Sequence, residues 1–380
     1  MHSQKHLFDL PADIHYLNCA YMSPLMKQVQ DAGVTGIKRK SNPTQIVPAD
    51  FFATASEVRQ KFAHIVHCKA EQVAIIPAAS YGIQNAVNNL PTNNGNHAIT
   101  VGDEFPSDYY AIESWCKLHN KTLRIIAAPE TATNKGKLWN DAILDAITAD
   151  TAAVIISSIH WTDGTRFDLK QIGERCREMN ARFIVDGTQS VGALPIDVEE
   201  CKIDALVCAA YKWLMGPYSV GFAFYGEAFD NGTPLENAWV NRANAEDFTR
   251  LTAYTEEYTP GAGRYNVGEF GNHILLPMLN TALQQILDWN VNEIQNYCRE
   301  LIAPAIVFLN ENGFRTETEA YRTNHLFGFA LPENISKEEL MKNLQQKKIF
   351  VSTRGNAVRV SPNVYNTPDD IQALINALKN

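Results

Sequence analysis

Short apolar runs alternate with amphipathic stretches of helical period between residues 57 and 225. The runs are rich in β-branched residues and continuously apolar, which fits strands that are buried on both faces. Such alternation is typical of a mostly parallel sheet covered by helices, so we predict an α/β fold. The seven predicted strands span residues 72–77, 97–101, 123–128, 152–157, 182–186, 205–210 and 220–225.

The pattern changes in the last part of the chain. Residues 226–268 are polar, rich in Asn and Gly and without a clean period, which predicts a long connection between domains. Residues 273–313 form a long helical stretch that we expect to break near Pro304, and strand, helix, strand, strand and helix follow. The predicted organisation is an N-terminal segment (1–45), a large α/β domain (46–260) and a small α+β C-terminal domain (261–380).

Charge and composition exclude several classes of function. Forty-two acidic residues against 33 basic ones give a net charge of -9, the wrong sign for a protein that grips a nucleic-acid backbone. The longest apolar runs are shorter than the ~18 residues that a membrane-spanning helix needs. The N-terminus lacks the layout of a secretory signal or a transit peptide. We therefore expect a cytoplasmic protein with no nucleic-acid or membrane partner.

The seven cysteines are scattered and include no CxxC pair. An odd number without paired spacing argues against a disulfide framework and against a structural zinc site. We expect free thiols in a reducing compartment and no bound metal.

Polar residues follow several predicted strands at their carboxyl ends, where parallel sheets collect ligands. The first strand runs into Ala79, Ser80 and Tyr81 at the start of a helix. Unpaired amide groups and the helix dipole make such a turn suitable for a phosphate. On this pattern alone, Ser80 could equally be an ordinary helix N-cap.

Asp186 and Lys212 each follow another apolar strand. Burying either charge alone is costly, although a loop-bracing Asp and a surface Lys would explain each residue separately. Together with an anion cradle they match the needs of pyridoxal 5'-phosphate (PLP). That cofactor requires a phosphate site, an acid that holds the proton on the pyridine nitrogen, and a lysine for the Schiff base.

A family resemblance rests on these same segments. Residues 185–198 (VDGTQSVGALPIDV) and 204–225 (DALVCAAYKWLMGPYSVGFAFY) resemble the fold-type I PLP-dependent enzymes of aminotransferase class V. The segments IHYLNCAYMSPL and VRVSPNVYNTPDDIQALINAL resemble the opening and the closing of that family. The resemblance implies a large domain with a seven-stranded, mostly parallel sheet, a smaller α+β C-terminal domain, and a homodimer with the site at its interface.

The resemblance also implies roles for individual residues. Lys212 matches the Schiff-base lysine, and Asp186 matches the partner of the pyridine nitrogen. Gln189 matches the contact to the phenolic oxygen of the cofactor, and Phe105 falls where the family stacks a ring on it. Arg359 matches the arginine that clamps the substrate α-carboxylate, for which the guanidinium fork is well suited. The family's phosphate site corresponds to Ser80 together with the backbone of Ala79 and Tyr81.

Departures from the family pattern indicate which branch of the family the chain resembles. Tyr211 replaces the His that precedes the lysine in cysteine desulfurases, Trp161 replaces their Asn, and no cysteine follows Arg354. Desulfurase chemistry through a cysteine nucleophile is therefore disfavoured. Segments 103–110, 157–169 and 211–214 are instead similar to kynureninase. The match adds Asp108, Ser157 and Tyr211 to the expected cofactor site, together with Trp161, although Phe105 and Trp161 could also be core aromatics.

We therefore expect a PLP-dependent enzyme that acts on an amino acid through an external aldimine. In the family's mechanism Lys212 becomes the general base at Cα, which requires a lowered pKa. Transamination and Cα–Cβ or β-elimination lyase chemistry share this ground-state site. A kynureninase-like hydrolase and an amino-acid epimerase are alternatives, and a non-catalytic sensor or scaffold with a PLP fold is the alternative outside enzymes. Residues 261–272 are expected to reach the cofactor phosphate of a neighbouring subunit.

Overall fold

A seven-stranded sheet organises the larger part of the chain. The computed structural model describes residues 1–131, 134–355 and 357–379. A two-residue strand, β1 (His15–Tyr16), and the helices α1 (Lys27–Lys40) and α2 (Asp50–Val66) precede the sheet. The strands of the large sheet are β2 (Val73–Ile76), β3 (His97–Val101), β4 (Thr122–Ile126), β5 (Thr151–Ser157), β6 (Arg182–Asp186), β7 (Ala205–Ala209) and β8 (Gly221–Tyr225).

The order of these strands is β2-β8-β7-β6-β5-β3-β4. The run from β4 to β7 is parallel, whereas β8 is antiparallel to both of its neighbours, β7 and β2. Every predicted strand is present, with ends shifted by two residues at most. The prediction of a mostly parallel α/β fold is confirmed.

Helices connect the parallel strands and cover both faces of the sheet. They are α3 (Ala79–Asn88), α4 (Pro106–Leu118), α5 (Lys135–Ala146) and α6 (Leu169–Glu178). Every residue of β5 is buried, as its unbroken apolar run predicted. The start of α6 is stabilised by Asp168, whose carboxylate accepts a hydrogen bond from the Gln171 amide at 3.1 Å. Such a cap contributes about 1 kcal/mol.

The polar segment 226–268 does more than connect two parts of the chain. The Asn266 side-chain oxygen accepts a hydrogen bond from the Ile75 amide at 2.9 Å, and the Val267 amide donates to the Ile75 carbonyl at 3.0 Å. Since β2 is an edge strand, these bonds cover part of its free backbone. Hydrophobic periodicity could not predict this packing because backbone and amide groups make the contact.

The predicted helix break near Pro304 is wrong. Helices α7 (Leu275–Trp289) and α8 (Val291–Glu311) meet at Asn290, which has a φ of +66° and accepts the Asn292 amide on its side chain at 2.9 Å. Pro304 lies inside α8 and is exposed. The carbonyl that its ring leaves without a donor can therefore be hydrated, which lets the helix continue.

The C-terminal part is the predicted α+β unit, with a four-stranded antiparallel sheet of order β12 (Ser352–Arg354), β13 (Ala357–Val360), β10 (Phe327–Ala330) and β9 (Arg315–Thr316). The second of the three strands predicted after the long helical stretch, at residues 349–353, is divided in two, and its first part, β11 (Ile349–Phe350), pairs in parallel with β1 near the N-terminus. None of the helices in the described ranges is long and apolar enough to cross a bilayer. The elements are β9 (Arg315–Thr316), β10 (Phe327–Ala330), α9 (Lys337–Gln346), β11 (Ile349–Phe350), β12 (Ser352–Arg354), β13 (Ala357–Val360) and α10 (Pro368–Leu378).

Candidate active site

The carboxyl ends of β5, β6 and β7 meet at one edge of the sheet. Ser157 is paired with Asp186 across β5 and β6, and Asp186 is paired with Val207 on β7. Lys212 lies in the loop that follows β7. A cavity opens at this edge. The sequence-predicted residues that line it are Ala79, Ser80, Phe105, Ser157, Trp161, Asp186, Gln189, Tyr211 and Lys212.

Lys212 is the buried cation of this cavity, with 7% of the residue exposed. Its removal from water lowers the pKa to about 8, an effect that the nearby Asp186 carboxylate opposes. The Lys212 Nζ lies 5.9 Å from the centre of the Phe105 ring and 5.6 Å from that of Tyr211. A lysine with this pKa is partly neutral near pH 7, so it can act as a nucleophile and as a base.

One oxygen of the Asp186 carboxylate is held by the backbone. Its Oδ1 accepts the Thr188 amide at 2.7 Å, and the Thr188 hydroxyl accepts the Ala209 amide at 3.2 Å. Asp186 itself is 5% exposed and lines the cavity. Because a buried carboxylate needs strong partners, the remaining oxygen is suited to a cationic N–H group within the cavity.

Asp108, in the first turn of α4, lies behind Asp186 and does not line the cavity. Its side chain is fully buried, and neither oxygen has a hydrogen-bond donor among the described residues. Burial, followed by the charges of Asp186 and Glu104, raises the pKa of Asp108 well above its usual range. The neutral, protonated form of Asp108 is therefore favoured beside Asp186.

Glu104 is a buried carboxylate that the sequence analysis missed. It accepts the amides of Ser157 and Phe105, both at 2.7 Å, and also the Ser157 hydroxyl. Burial raises the pKa of Glu104, although these hydrogen bonds oppose that rise. Glu104 thereby fixes the Ser157 hydroxyl and the loop that carries Phe105. Its place directly before Phe105, in a loop that follows a strand, was the only signal in the sequence.

The N-terminus of α3 offers an anion site at the same edge. Its N-cap residue, Ala78, makes no side-chain cap, and among the described residues no acceptor bonds to the Ala79 or Ser80 amides. The Tyr81 amide instead donates to the Ala78 carbonyl at 3.1 Å, and the Tyr81 ring packs on the hydrophobic core away from the cavity. The structure therefore brings Ala79 and Ser80 to the cavity, but not Tyr81.

Gln189 is held in place from two sides. Its amide group donates to the Ala20 carbonyl at 3.2 Å, and its side-chain oxygen accepts the Trp213 indole N–H at 3.0 Å. The ring centres of Phe105 and Trp161 lie 5.8 Å apart in an edge-to-face arrangement, and both rings border the cavity. These two aromatics are therefore wall residues of the cavity and not merely core residues.

Arg359 reaches the site from β13 of the small sheet and is 1% exposed. It donates to the Trp161 carbonyl at 2.6 Å and to the Ser352 hydroxyl at 3.2 Å, whereas its Nε has no partner among the described residues. Burial lowers the pKa of Arg359 to about 10, so it remains charged near neutral pH. Arg359 lines a second cavity, next to the first, that also contains Lys212.

The sequence analysis also missed Tyr218, Ser219 and Arg354. Tyr218 borders both cavities, and its ring centre lies 4.6 Å from that of Tyr211. Arg354 lines the second cavity. The described residues contain no group of three or more His, Cys, Asp or Glu side chains that could hold a metal ion.

The chain is similar over most of its length to an aminotransferase and to a kynureninase. It is 23% identical over 360 residues to an uncharacterised aminotransferase, YcbU, of Bacillus subtilis, an alignment that covers 94% of this chain and 91% of that protein. It is 25% identical over 341 residues to a kynureninase of Cryptococcus neoformans, covering 81% of this chain and 74% of that protein.

Solved structures share the fold. A variant of C-DES with glycine covalently linked to its PLP cofactor matches with a TM-score of 0.86 at 18% identity, over 99% of both chains. The cysteine desulfurase CsdA of Escherichia coli matches with a TM-score of 0.80 at 15% identity, over 99% of this chain and 96% of that one. The family model for aminotransferase class-V matches residues 44–374, so this protein belongs to the aminotransferase class-V family of PLP-dependent enzymes.

Proposed function

We propose that Lys212, Asp186 and Arg359 are the central side chains of this PLP-dependent enzyme and that its substrate is an amino acid. The observation that carries the proposal is the placement of Lys212. A buried lysine lies at the sheet edge, near the Asp186 carboxylate, in a cavity that also borders a helix N-terminus without a cap. The buried charge of Lys212 destabilises the fold, and a protein with a purely structural role would not require such a residue.

The cavity residues fit the cofactor at three positions. The Ala79 and Ser80 amides at the start of α3 suit its phosphate. The remaining oxygen of Asp186 suits the N–H of its pyridine ring, and the Lys212 amine suits its aldehyde carbon. When bound, PLP supplies an electron sink for negative charge at the substrate Cα.

Lys212 has two tasks in this proposal. Its Nζ would hold the cofactor through the aldehyde carbon, and once freed by the amine of the substrate it would accept the proton from the substrate Cα. A pKa of about 8 leaves a usable fraction of the neutral amine near pH 7.5. The carboxylate of Asp186 would keep a proton on the pyridine nitrogen, and the raised pKa of Asp108, which favours its neutral form, would limit repulsion behind Asp186.

The remaining site residues orient the cofactor and the substrate. Phe105 presents a ring to the cavity, and Gln189, which also lines it, would donate an amide N–H to the phenolic oxygen. Ser157, fixed by Glu104, and Tyr211 line the same cavity. In this proposal the indole of Trp161 completes the cofactor site.

Arg359 is proposed to bind the substrate α-carboxylate. Its Nε is buried without a partner, and no ion pair within the described residues involves its guanidinium. A carboxylate would supply the missing acceptor through a charge-assisted bond. The bond from Nη1 to the Trp161 carbonyl fixes the guanidinium plane before the substrate arrives.

Two reaction types are compatible with these residues, namely transamination and the lyase reactions that break Cα–Cβ or a β substituent. They differ in the bonds that break: transamination and the loss of a β substituent begin with removal of the Cα proton, whereas Cα–Cβ cleavage breaks the carbon–carbon bond in place of the Cα–H bond. Kynureninase-like hydrolysis is a second candidate, supported by the 25% identity to a kynureninase and by the placement of Ser157 and Tyr211 at the cavity.

We further propose a cytoplasmic homodimer. The seven cysteines are all free thiols, which suits a reducing compartment. Residues 261–272 contain a short helix, Gly261–Tyr265, beside the edge of the large sheet. In the proposed dimer this segment contacts the phosphate of the neighbouring subunit. A monomer at micromolar concentration that holds the cofactor would contradict the dimer.

The test of the proposed function is the visible spectrum of the purified protein, followed by borohydride reduction and peptide mass spectrometry. We expect an absorption band of the bound cofactor and a reduced adduct on Lys212. The variant Lys212→Ala should lose the adduct. The control Lys170→Ala should keep it, because Lys170 is exposed and paired with Glu200. A protein that takes up no PLP, or an adduct that survives in Lys212→Ala, would refute the proposal.

A further inference from the structure

Two arginines lie on one face of the hairpin formed by β12 and β13. Ser352 is paired with Arg359, and Arg354 is paired with Ala357. Paired residues of an antiparallel ladder share a face, so Arg354 and Arg359 are diagonal neighbours on the same face, about 7–8 Å apart at the backbone. Both line the second cavity, in which Lys212 also lies.

Arg354 is placed as a ligand-binding group. Its guanidinium carbon lies 5.7 Å from the centre of the Trp161 ring, and its Nη1 donates to the Thr353 carbonyl at 2.8 Å. No ion pair within the described residues involves Arg354. Arg354 also lines the adjoining groove, in which Asp163 is paired with Lys135 at 2.5 Å and the Glu317 carboxylate accepts the Gly136 and Thr318 amides. The other acids of that groove, Asp103 and Glu130, form no ion pair with Arg354 within the described residues. Arg354 is half-buried, and much of its donor capacity remains free.

The charges at this end of the cavity are unbalanced. Arg359 and Arg354 both lower the pKa of Lys212, and Arg354 lowers that of Arg359, so the three cations interact. No Asp or Glu is among the described residues that line the second cavity. Asp186, whose charge opposes the lowering of the Lys212 pKa, already binds the Thr188 amide and serves the cofactor in the proposed function. One α-carboxylate would neutralise a single guanidinium and leave the other without an anion.

We propose that Arg354 binds a second anionic group at the end of the substrate side chain, so that the substrate is an L-amino acid with an acidic side chain. This inference rests on the proposed function, since it takes Arg359 as the clamp of the α-carboxylate. An amide in place of the acid would lose the charge-assisted, two-point hydrogen bond to Arg354. Arg354 is thus a specificity-determining residue, with Trp161 as the rigid surface that orients it.

The test compares acids with their amides, which have nearly the same shape. The protein reconstituted with PLP is titrated with L-aspartate, L-asparagine, L-glutamate, L-glutamine and L-alanine, followed by visible spectra and calorimetry. We expect at least one acid to bind about 10- to 100-fold more tightly than its amide, the range of a charged hydrogen bond. Arg354→Gln should remove that preference and weaken acid binding far more than L-alanine binding, and Arg354→Lys should restore part of the preference.

Each outcome decides the inference. Equal affinity of the wild-type protein for acid and amide would overturn it without any variant. An equal loss of L-alanine and acid binding in Arg354→Gln would also overturn it, because Arg354 would then hold the α-carboxylate or the shape of the cavity. Failure of the wild-type protein to take up PLP would refute the proposed function itself, which separates the two results.

Discussion

Replacing Lys212 with Met should stabilise the cofactor-free protein. Met has a similar length and no charge to bury, whereas the Lys212 ammonium is held in a cavity where its pKa falls from 10.5 to about 8. At about 1.4 kcal/mol for each factor of ten, that fall corresponds to a cost of about 3 kcal/mol for the charged lysine in the folded state. We expect Lys212→Met to recover most of this free energy of unfolding at pH 7.

The size of the stabilisation by Lys212→Met depends on pH. Below pH 8 Lys212 is protonated in both states, and the folded state bears the full cost. Between about pH 8 and 10.5 the folded chain has lost that proton while the unfolded chain keeps it, so the stability of the wild-type protein rises with pH. The advantage of Lys212→Met should therefore be largest at pH 7 and should nearly vanish by pH 10.5.

Denaturant unfolding of the cofactor-free proteins at pH 7 and pH 10 measures this difference. Other groups titrate in the same range, but they do so in both proteins and cancel in the comparison. Lys170→Met is the control, because Lys170 is exposed and its removal should change stability little at either pH. If the difference in stability between wild type and Lys212→Met is the same at both pH values, the assignment of Lys212 as a lysine whose buried charge destabilises the fold is wrong.

Three further predictions follow from the site and its surroundings. Arg359→Ala should weaken amino-acid binding far more than PLP binding in spectral titrations, and an equal loss of both would argue against a carboxylate clamp. Because burial raises the pKa of Asp108, the wild-type protein loses stability as pH rises above 3.8, the ordinary pKa of this carboxyl group. Asp108→Asn should therefore become more stable relative to wild type as pH rises from 3.8 in denaturant unfolding, and a difference that does not change with pH would exclude this. The pKa of His325 is lowered to about 4 by burial, so stability should fall as pH drops from 6.5 toward 4, and acid unfolding of His325→Gln should be less steep; unchanged steepness would show that another group is responsible.

The large sheet follows directly from local sequence. Its strands are continuously apolar and β-branched because both faces are covered, and this leaves a strong signal in the chain. Asp186 and Lys212 were found for the same reason, since a charge directly after a buried strand stands out. Most of the remaining site residues were assigned from the resemblance of the surrounding segments to the family, whose motif residues lie close together in the chain.

Features that depend on single backbone positions or on distant packing were not predictable in this way. The helix break lies at Asn290 because a positive φ and a side-chain cap interrupt the helix there, while exposed Pro304 is tolerated. Glu104 orients Ser157 only because the fold brings the loop before α4 next to the end of β5, where the Ser157 amide and hydroxyl donate to its carboxylate. No periodic pattern marks either event.

The sequence by itself determined the α/β class, the positions of the strands and the strand-end residues Asp186 and Lys212. These features leave a local pattern, because each buried strand is a short apolar run and the polar residues that follow it stand out in the chain. Only the tertiary structure decided which charges share one cavity. Arg359 and Arg354 lie more than a hundred residues from Lys212 in the chain and reach it through a separate sheet. The lowered pKa of Lys212 and the raised pKa of Asp108 arise from that assembly, since desolvation and neighbouring charges exist only once the chain is folded.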